Sequence, residues 1–230
     1  MVTGPGTTEP DDHGRSSAGA GQEREPGLRE RKKQRTREAI FGAAMQLFAE
    51  RGYDHVTMAE IARAADVAPA TVFTHYASKE DLVYALRHEV NDRLRTALHD
   101  RADEIGVLPA VKEWMLGMHA FFTETPEAVA QARTFARLLS DNPELWSRSV
   151  GFMYERQMLL TELLAERHPD ADRFLLEAAA AQVAAATQTA VRYYQRDLAD
   201  GMASEEVLAR AAVRADRVFE QLERGLADAF

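Results

Sequence analysis

The sequence predicts an all-α protein: a three-helix N-terminal helix-turn-helix unit followed by a larger C-terminal helical domain, about nine helices together. Three observations lead there. From residue 29 onward, apolar side chains recur every three to four residues, the spacing that keeps them on one face of a helix. No segment shows the apolar–polar alternation and flanking turn signals of a strand or hairpin. Pro, Gly and cap-forming residues interrupt the pattern repeatedly and supply helix starts and stops. The expected organisation is an extension over 1–28, the helix-turn-helix unit over 29–82 and the larger domain over 83–230.

Residues 1–27 are rich in Gly, Pro, Ser, Asp and Glu and almost lack large apolar side chains. Such a segment cannot bury enough surface to offset its ordering entropy, so it is expected to be disordered. The first helix is expected over 36–51, with Ile40, Ala43, Ala44, Leu47 and Phe48 as its buried stripe and Gly52 as a left-handed stop. Thr57 and Glu60 form a capping box that opens a short helix through residue 65. Asp66 and Val67 make a turn, and Pro69 suits the first position of a helix through Tyr76. Ser78 is the next cap, with Glu80 and Asp81 in the favourable first turn, and opens one long helix to residue 101. Five further helices are expected over 108–123, 126–140, 143–168, 170–197 and 204–228, separated by breaks such as Asp141-Asn142-Pro143 and Asp200-Gly201. Three short helices with a tight turn between the second and third describe a helix-turn-helix, although any small helical bundle can carry the same caps.

Composition narrows the function. With 46% hydrophobic and 28% charged residues over 230 positions, the chain can bury a sizeable core. The absence of cysteine excludes disulfides and thiol catalysis. No apolar run approaches the roughly 18 residues of a membrane span, and the polar N-terminus lacks the apolar region of a secretory signal. A cytoplasmic protein without a membrane partner is expected. No nucleophile motif, phosphate-cradling Gly loop or His-Glu-x-x-His occurs. His88, Asp92 and His99 share one helical face, which reads as solvated surface rather than a metal site. No catalytic residue, metal or cofactor is expected, and a helical adaptor is a closer rival than an enzyme. The net charge of −9 at first argues against nucleic acid, but Arg29, Arg31, Lys32, Lys33, Arg35 and Arg37 lie together, opposed only by Glu30. A local basic patch can bind phosphate while an acidic remainder repels nonspecific contact.

The stretch from Ala39 to Leu82 resembles the TetR family of transcriptional regulators. The resemblance rests on an ordered set: Phe48-Ala49-Glu50-Arg51-Gly52-Tyr53, Thr57 ahead of Ile61-Ala62, Val67, Thr71-Val72-Phe73-Thr74-His75-Tyr76, and Ser78-Lys79-Glu80-Asp81-Leu82. It implies a homodimer on double-stranded operator DNA, most simply a repressor, that responds to a small-molecule effector. It also implies roles by position: Thr57 on a phosphate, Ala70 and Thr71 on base edges, Thr74, His75 and Tyr76 on the groove wall with Tyr76 at a phosphate, and Lys79 on the backbone. Arg35 and its basic neighbours would add phosphate contacts. Val72, Phe73 and Leu82 are read as core. Two residues depart from the family pattern. Asp66 stands where Gly is common, and Asp tolerates a left-handed turn better than most residues. Ala68 stands where Ser or Thr usually caps the helix, and it cannot supply that bond.

The C-terminal segment Arg133-Thr134-Phe135-Ala136-Arg137-Leu138-Leu139-Ser140-Asp141-Asn142-Pro143-Glu144-Leu145 resembles a TetR subgroup near the mycofactocin regulators, for which long-chain acyl-CoA thioesters are plausible effectors. Large apolar residues concentrate in this domain. Trp114, Met118, Phe121, Phe122, Phe135, Trp146 and Met153 are the candidate lining of an effector pocket, with ordinary core packing as the alternative. Arg133, Arg137 and Arg156 are candidates for an anionic headgroup, or plain solvated surface. The helices over 170–197, with an Ala-rich middle, and over 204–228 could form a four-helix bundle across a twofold axis.

Overall fold

A computed structural model describes residues 27–226. The expected disordered extension lies outside the described residues as far as residue 26. Ten α-helices and no strand occur among the described residues. No helix there is long and apolar enough to cross a membrane.

The first helix, α1 (Leu28–Arg51), begins eight residues before the expected start. Residues 28–35 have no apolar stripe, so periodicity is silent about them. They are, however, mostly Arg, Lys, Glu and Gln, which favour helix, and pairs such as Lys33–Glu30 (3.7 Å) and Gln34–Glu38 (2.9 Å) lie one turn apart. Ile40, Ala44, Met45, Leu47 and Phe48 face inward, and Gly52, at φ 80°, closes the helix with its N–H on the Phe48 carbonyl. The short helices α2 (Met58–Ala64) and α3 (Pro69–His75) follow as expected.

The single helix expected from Ser78 to residue 101 is in fact two: α4 (Lys79–Val83) and α5 (Arg87–Ile105). Local sequence favours continuity, but tertiary contacts override it at the break. Tyr84 and Ala85 turn into the N-terminal core. The Tyr84 hydroxyl donates to the Leu145 carbonyl, and the Ala85 carbonyl accepts from the Arg37 guanidinium at 3.1 Å. The remaining helices are α6 (Val107–Phe121), α7 (Pro126–Asp141), α8 (Pro143–Arg167), α9 (Arg173–Ala199) and α10 (Ser204–Leu226).

Two main cores result. The N-terminal one joins α1–α4 to the corner between α7 and α8, through Leu138, Leu139 and Leu145. It extends past residue 82 to Ala85, so packing is continuous across the expected domain boundary. The larger one fills the space among α5, α6, α8, α9 and α10 with Leu94, Leu98, Met115, Leu160, Leu176 and Phe219. A small third cluster, with Ala136, Tyr194, Leu198 and Val207, seals α7 against α9 and α10.

His119 on α6 is buried, only 3% exposed, with its ring stacked on Tyr194 of α9 at 3.9 Å between centroids and 6° between planes. Neither ring nitrogen has a hydrogen-bond partner. Burial therefore pushes the imidazole down to about 4. The unfolded chain, with an imidazole near pKa ~6.5, binds more protons between those two values. Stability is complete above about pH 6.5 and falls as the pH drops toward the folded value. From ~1.4 kcal/mol per pK unit, urea unfolding should show a loss of about 2 kcal/mol between pH ~7.5 and pH ~5. His119→Phe should flatten that slope, and an unchanged slope would assign it to other groups.

Candidate nucleic-acid interface

The turn between α2 and α3 sets the geometry of the site. At the start of α2, the Thr57 N–H and hydroxyl both donate to Glu60 Oε2 (2.9 and 2.7 Å), and the Glu60 N–H donates back to Thr57 Oγ1. The Thr57 hydroxyl bond and then its backbone bond hold the Glu60 carboxyl below the usual carboxylate range. The hydroxyl expected on a phosphate is thus engaged within the capping box. Asp66 is the only non-glycine residue at positive φ (53°) among the described residues, the left-handed turn expected of it. Val67 N–H then bonds the Ala62 carbonyl at 3.0 Å and brings the chain into α3. Ala68 adopts the extended cap conformation without a side-chain bond to the helix.

On α3, Val72 is fully buried, whereas Ala70, Phe73 and Thr74 lie on the outward face. These three are related by the i, i+3 and i+4 spacing of one helical face. Phe73 was expected in the core and is instead 56% exposed. The signal was in the sequence: Val72 and Tyr76, one turn apart, define the buried stripe, and residue 73 lies about 100° away from Val72. Thr71 is half-buried, and its hydroxyl makes no hydrogen bond among the described residues. The Thr74 hydroxyl donates to the Ala70 carbonyl at 2.9 Å and keeps acceptor capacity outward. His75 is half-buried. Burial first, then the charges of Arg37 and Lys33, push its imidazole below the usual value.

Tyr76 does not reach the outer surface. It is 3% exposed, its hydroxyl donates to the Arg37 carbonyl at 3.3 Å, and the Arg37 guanidinium lies 5.2 Å from its ring centroid. Tyr76, expected at a phosphate, here holds α1 against α3. Lys79 is half-buried, donating to the Tyr53 carbonyl at 2.9 Å with its ammonium 4.3 Å from the Tyr53 ring centroid. Arg29, Arg31, Lys32, Lys33 and Arg35 are exposed on the first turns of α1. Arg37, at the end of this basic run, touches Tyr76 through its guanidinium and its carbonyl and so holds α1 beside the end of α3.

The seven expected pocket residues do not gather in one place. Trp114 and Met118 are buried in the larger core, with Phe122 and Met153 packed against it. Phe135 and Trp146 pack instead against the N-terminal core. Phe121 is 41% exposed beneath the Arg93 guanidinium, 4.3 Å from its ring centroid. Arg133 donates to the Met202 carbonyl at 2.8 Å, Arg137 is exposed, and Arg156 lies over Trp114 at 5.3 Å from the ring centroid. A cleft of about 580 Å³ lies elsewhere, between α1 and α5, lined by Arg37, Tyr76, His88, Asp92 and Arg93 among others. Among the described residues, no three His, Cys, Asp or Glu side chains are grouped to hold a metal ion.

A short helix that projects small and apolar side chains outward beside a helical run of cations defines a helix-turn-helix DNA-binding module. Residues 40–86 match the family model "Bacterial regulatory proteins, tetR family". The transcriptional regulator TcmR of Streptomyces glaucescens is 41% identical over 76 residues, covering 33% of this chain and 34% of TcmR. The chain thus matches only about a third of that relative's length. NalD of Pseudomonas aeruginosa, secondary repressor of the MexAB-OprM efflux pump, shares the fold with a TM-score of 0.55 at 21% identity, over 84% of this chain and 97% of NalD. The regulator FadR of Bacillus subtilis, solved with stearoyl-CoA, does so with a TM-score of 0.52 at 17% identity, over 80% of this chain and 96% of FadR. Over residues 40–86 the chain is thus similar to the tetR family of bacterial regulatory proteins, and over most of its length it shares the fold of solved regulators.

The two aromatic residues of α3 should separate cleanly on substitution. Phe73→Ser should leave unfolding free energy within about 0.5 kcal/mol, as for most surface changes. Tyr76→Ala should cost about 3–5 kcal/mol, the usual loss for a buried aromatic. Urea denaturation reads both, and comparable losses would contradict the orientation of α3.

Proposed function

We propose that this protein is a repressor that binds operator DNA as a homodimer and releases it on binding a small apolar or amphipathic effector. The observation that supports this most directly is the outward face of α3 beside the exposed basic arm of α1. Ala70, Thr71, Phe73, Thr74 and His75 face the major groove in this reading, and short or apolar side chains there suit base edges and thymine methyls. Arg35, its basic neighbours and Lys79 neutralise phosphates, while Thr57 and Tyr76 hold the frame. Selection of bound duplexes from a random pool tests the reading, and recovery of no preferred sequence would refute it. Replacing Arg31, Lys32 and Lys33 with Ala should weaken binding to all duplexes and flatten the salt dependence by about 0.9 in log–log slope for each phosphate that is no longer neutralised. Thr71→Val should change base preference at one position by about 1–3 kcal/mol.

The dimer is assigned to α9 and α10. On α9, Phe174, Ala178, Ala181, Ala185 and Thr189 form an outward stripe, and on α10 Val213 is exposed. Small side chains allow two such helices to approach closely across a twofold axis. Leu222, which periodicity also offers to the interface, is buried inside the subunit and packs in the larger core. Ala185→Arg should therefore give folded monomer in sedimentation, whereas charging Leu222 should unfold the chain. A native protein that is monomeric at micromolar concentration would overturn the arrangement.

The effector is assigned to the larger core near Trp114, Met118, Phe122 and Met153. An acyl-CoA-like molecule is one candidate. FadR, solved with stearoyl-CoA, shares the fold, though a likeness at 17% identity speaks for the fold alone. The helix α5 runs from the N-terminal core into the larger one, so a ligand that shifts α5 changes the spacing of the two recognition helices. By linkage, operator DNA must weaken effector binding by the same factor.

A further inference from the structure

The larger core contains two donors without an acceptor. Trp114 on α6 is 7% exposed, and its Nε1 is buried with no hydrogen-bond partner. Arg156 on α8 lies over the same ring, and its Nε is likewise buried and unpartnered. No carboxylate approaches Arg156, and it makes no hydrogen bond or ion pair among the described residues. The contrast within the fold is direct. The Nε atoms of Arg133 and Arg167 are also buried without a hydrogen bond, but their guanidinium groups reach the Met202 carbonyl at 2.8 Å and the Leu98 carbonyl at 2.7 Å, and buried Asp197 is met by Arg214 at 2.5 Å.

An indole N–H and a guanidinium are donors only, so what this site lacks is an acceptor. Arg156 is half-buried with its Nε enclosed, and its positive charge favours an anion over a neutral carbonyl as that acceptor. The guanidinium fork matches a carboxylate with two parallel bonds. The surroundings are apolar and adaptable. Met118 lies one turn from Trp114 on α6, Met153 lies one turn from Arg156 on α8, and Phe122 packs against the same cluster. Unbranched methionines repack readily around a new apolar body. Burial also pushes the Arg156 guanidinium down, as expected for a cation with no counter-charge.

We infer that Trp114 and Arg156 form the polar end of an effector site for an apolar acid, whose carboxylate pairs with Arg156 and whose hydrocarbon body lies among Met118, Phe122 and Met153. This rests on the assignment of the effector to the larger core and names the ligand class. It gives a role to an indole N–H and a guanidinium Nε left without acceptors at the edge of an apolar core: they are the donors that the ligand completes.

The test uses Trp146→Phe protein, in which Trp114 is the only tryptophan, without DNA and at about pH 7.5, where carboxylates are ionised. Dodecanoate, dodecanol and dodecanoyl-CoA are titrated against Trp114 fluorescence. Dodecanoate should produce a saturable change and bind about ten-fold more tightly than dodecanol, the ratio expected of a charge-assisted hydrogen-bonded pair. Arg156→Met, or Arg156→Gln if the first fails to fold, should bring acid and alcohol within about two-fold of each other. Without ligand, either variant should unfold at the parent midpoint or above it, since an uncompensated charge is removed. Equal binding of acid and alcohol by the parent, retention of the preference in the Arg156 variant, or no saturable response to dodecanoate below about 1 mM would overturn the inference. Tighter Arg156-dependent binding of dodecanoyl-CoA than of dodecanoate would place a phosphate there and overturn the carboxylate. Because these titrations contain no DNA, loss of operator binding or of release leaves their outcome intact, and their failure leaves the repressor reading to its own tests.

Discussion

Tyr84 occupies the break between α4 and α5, with its ring edge-on to Phe135 at 6.1 Å and Phe152 at 4.7 Å and its hydroxyl on the Leu145 carbonyl. Burial pushes its phenol up to about 12, so it stays a neutral donor at physiological pH. Much of the molecule depends on this anchor. A helix continuing straight from Ser78 would carry Tyr84 away from the α7–α8 corner and leave an apolar surface on both sides open. By breaking, the chain merges the helix-turn-helix unit with that corner in one core. Arg87 over the Phe152 ring and the Arg148–Asp81 pair at 3.1 Å secure the edges of the joint.

The same joint determines how far a change in the larger core can travel. Arg37 connects three elements at once: its guanidinium holds the Ala85 carbonyl and covers the Tyr76 ring, and its own carbonyl accepts the Tyr76 hydroxyl. Arg37 thus ties the end of α3, the middle of α1 and the segment just ahead of α5 to one another. A shift of α5 would reach α3 through packed, hydrogen-bonded groups rather than through a loose linker. Close packing of this kind makes coupling between two discrete arrangements physically reasonable.

Charge is distributed to match. The chain is acidic overall, and just over half of the ion pairs among the described residues join exposed side chains one turn apart, as in Arg93–Glu89 and Arg210–Glu206. Such pairs contribute little to stability and are screened by salt. The basic arm is different in kind: five exposed cations on successive turns of α1, with Glu30 alone against them. Helical order gives these charges a fixed direction along α1.

The all-α class, the helix-turn-helix, the capping box at Thr57 and the left-handed turn at Asp66 were legible in the sequence because each depends on contacts within a few residues. Periodicity, a cap three residues from its partner and a turn between two helices are local physics, and local physics is written in order along the chain. The helical state of the basic arm was not legible for a related reason: a helix without an apolar stripe leaves no periodic trace. What required tertiary structure was everything decided by partners far apart in sequence. The break at Tyr84 depends on Leu145, the withdrawal of Tyr76 on Arg37, and the division of the aromatic residues between two cores on how α7 and α8 turn at Asn142. Burial of Leu222 and exposure of Phe73 follow likewise from which neighbours cover each helix face. A single helix can present the same amphipathic pattern to a core or to a partner, and only the packing of the whole chain chooses between them.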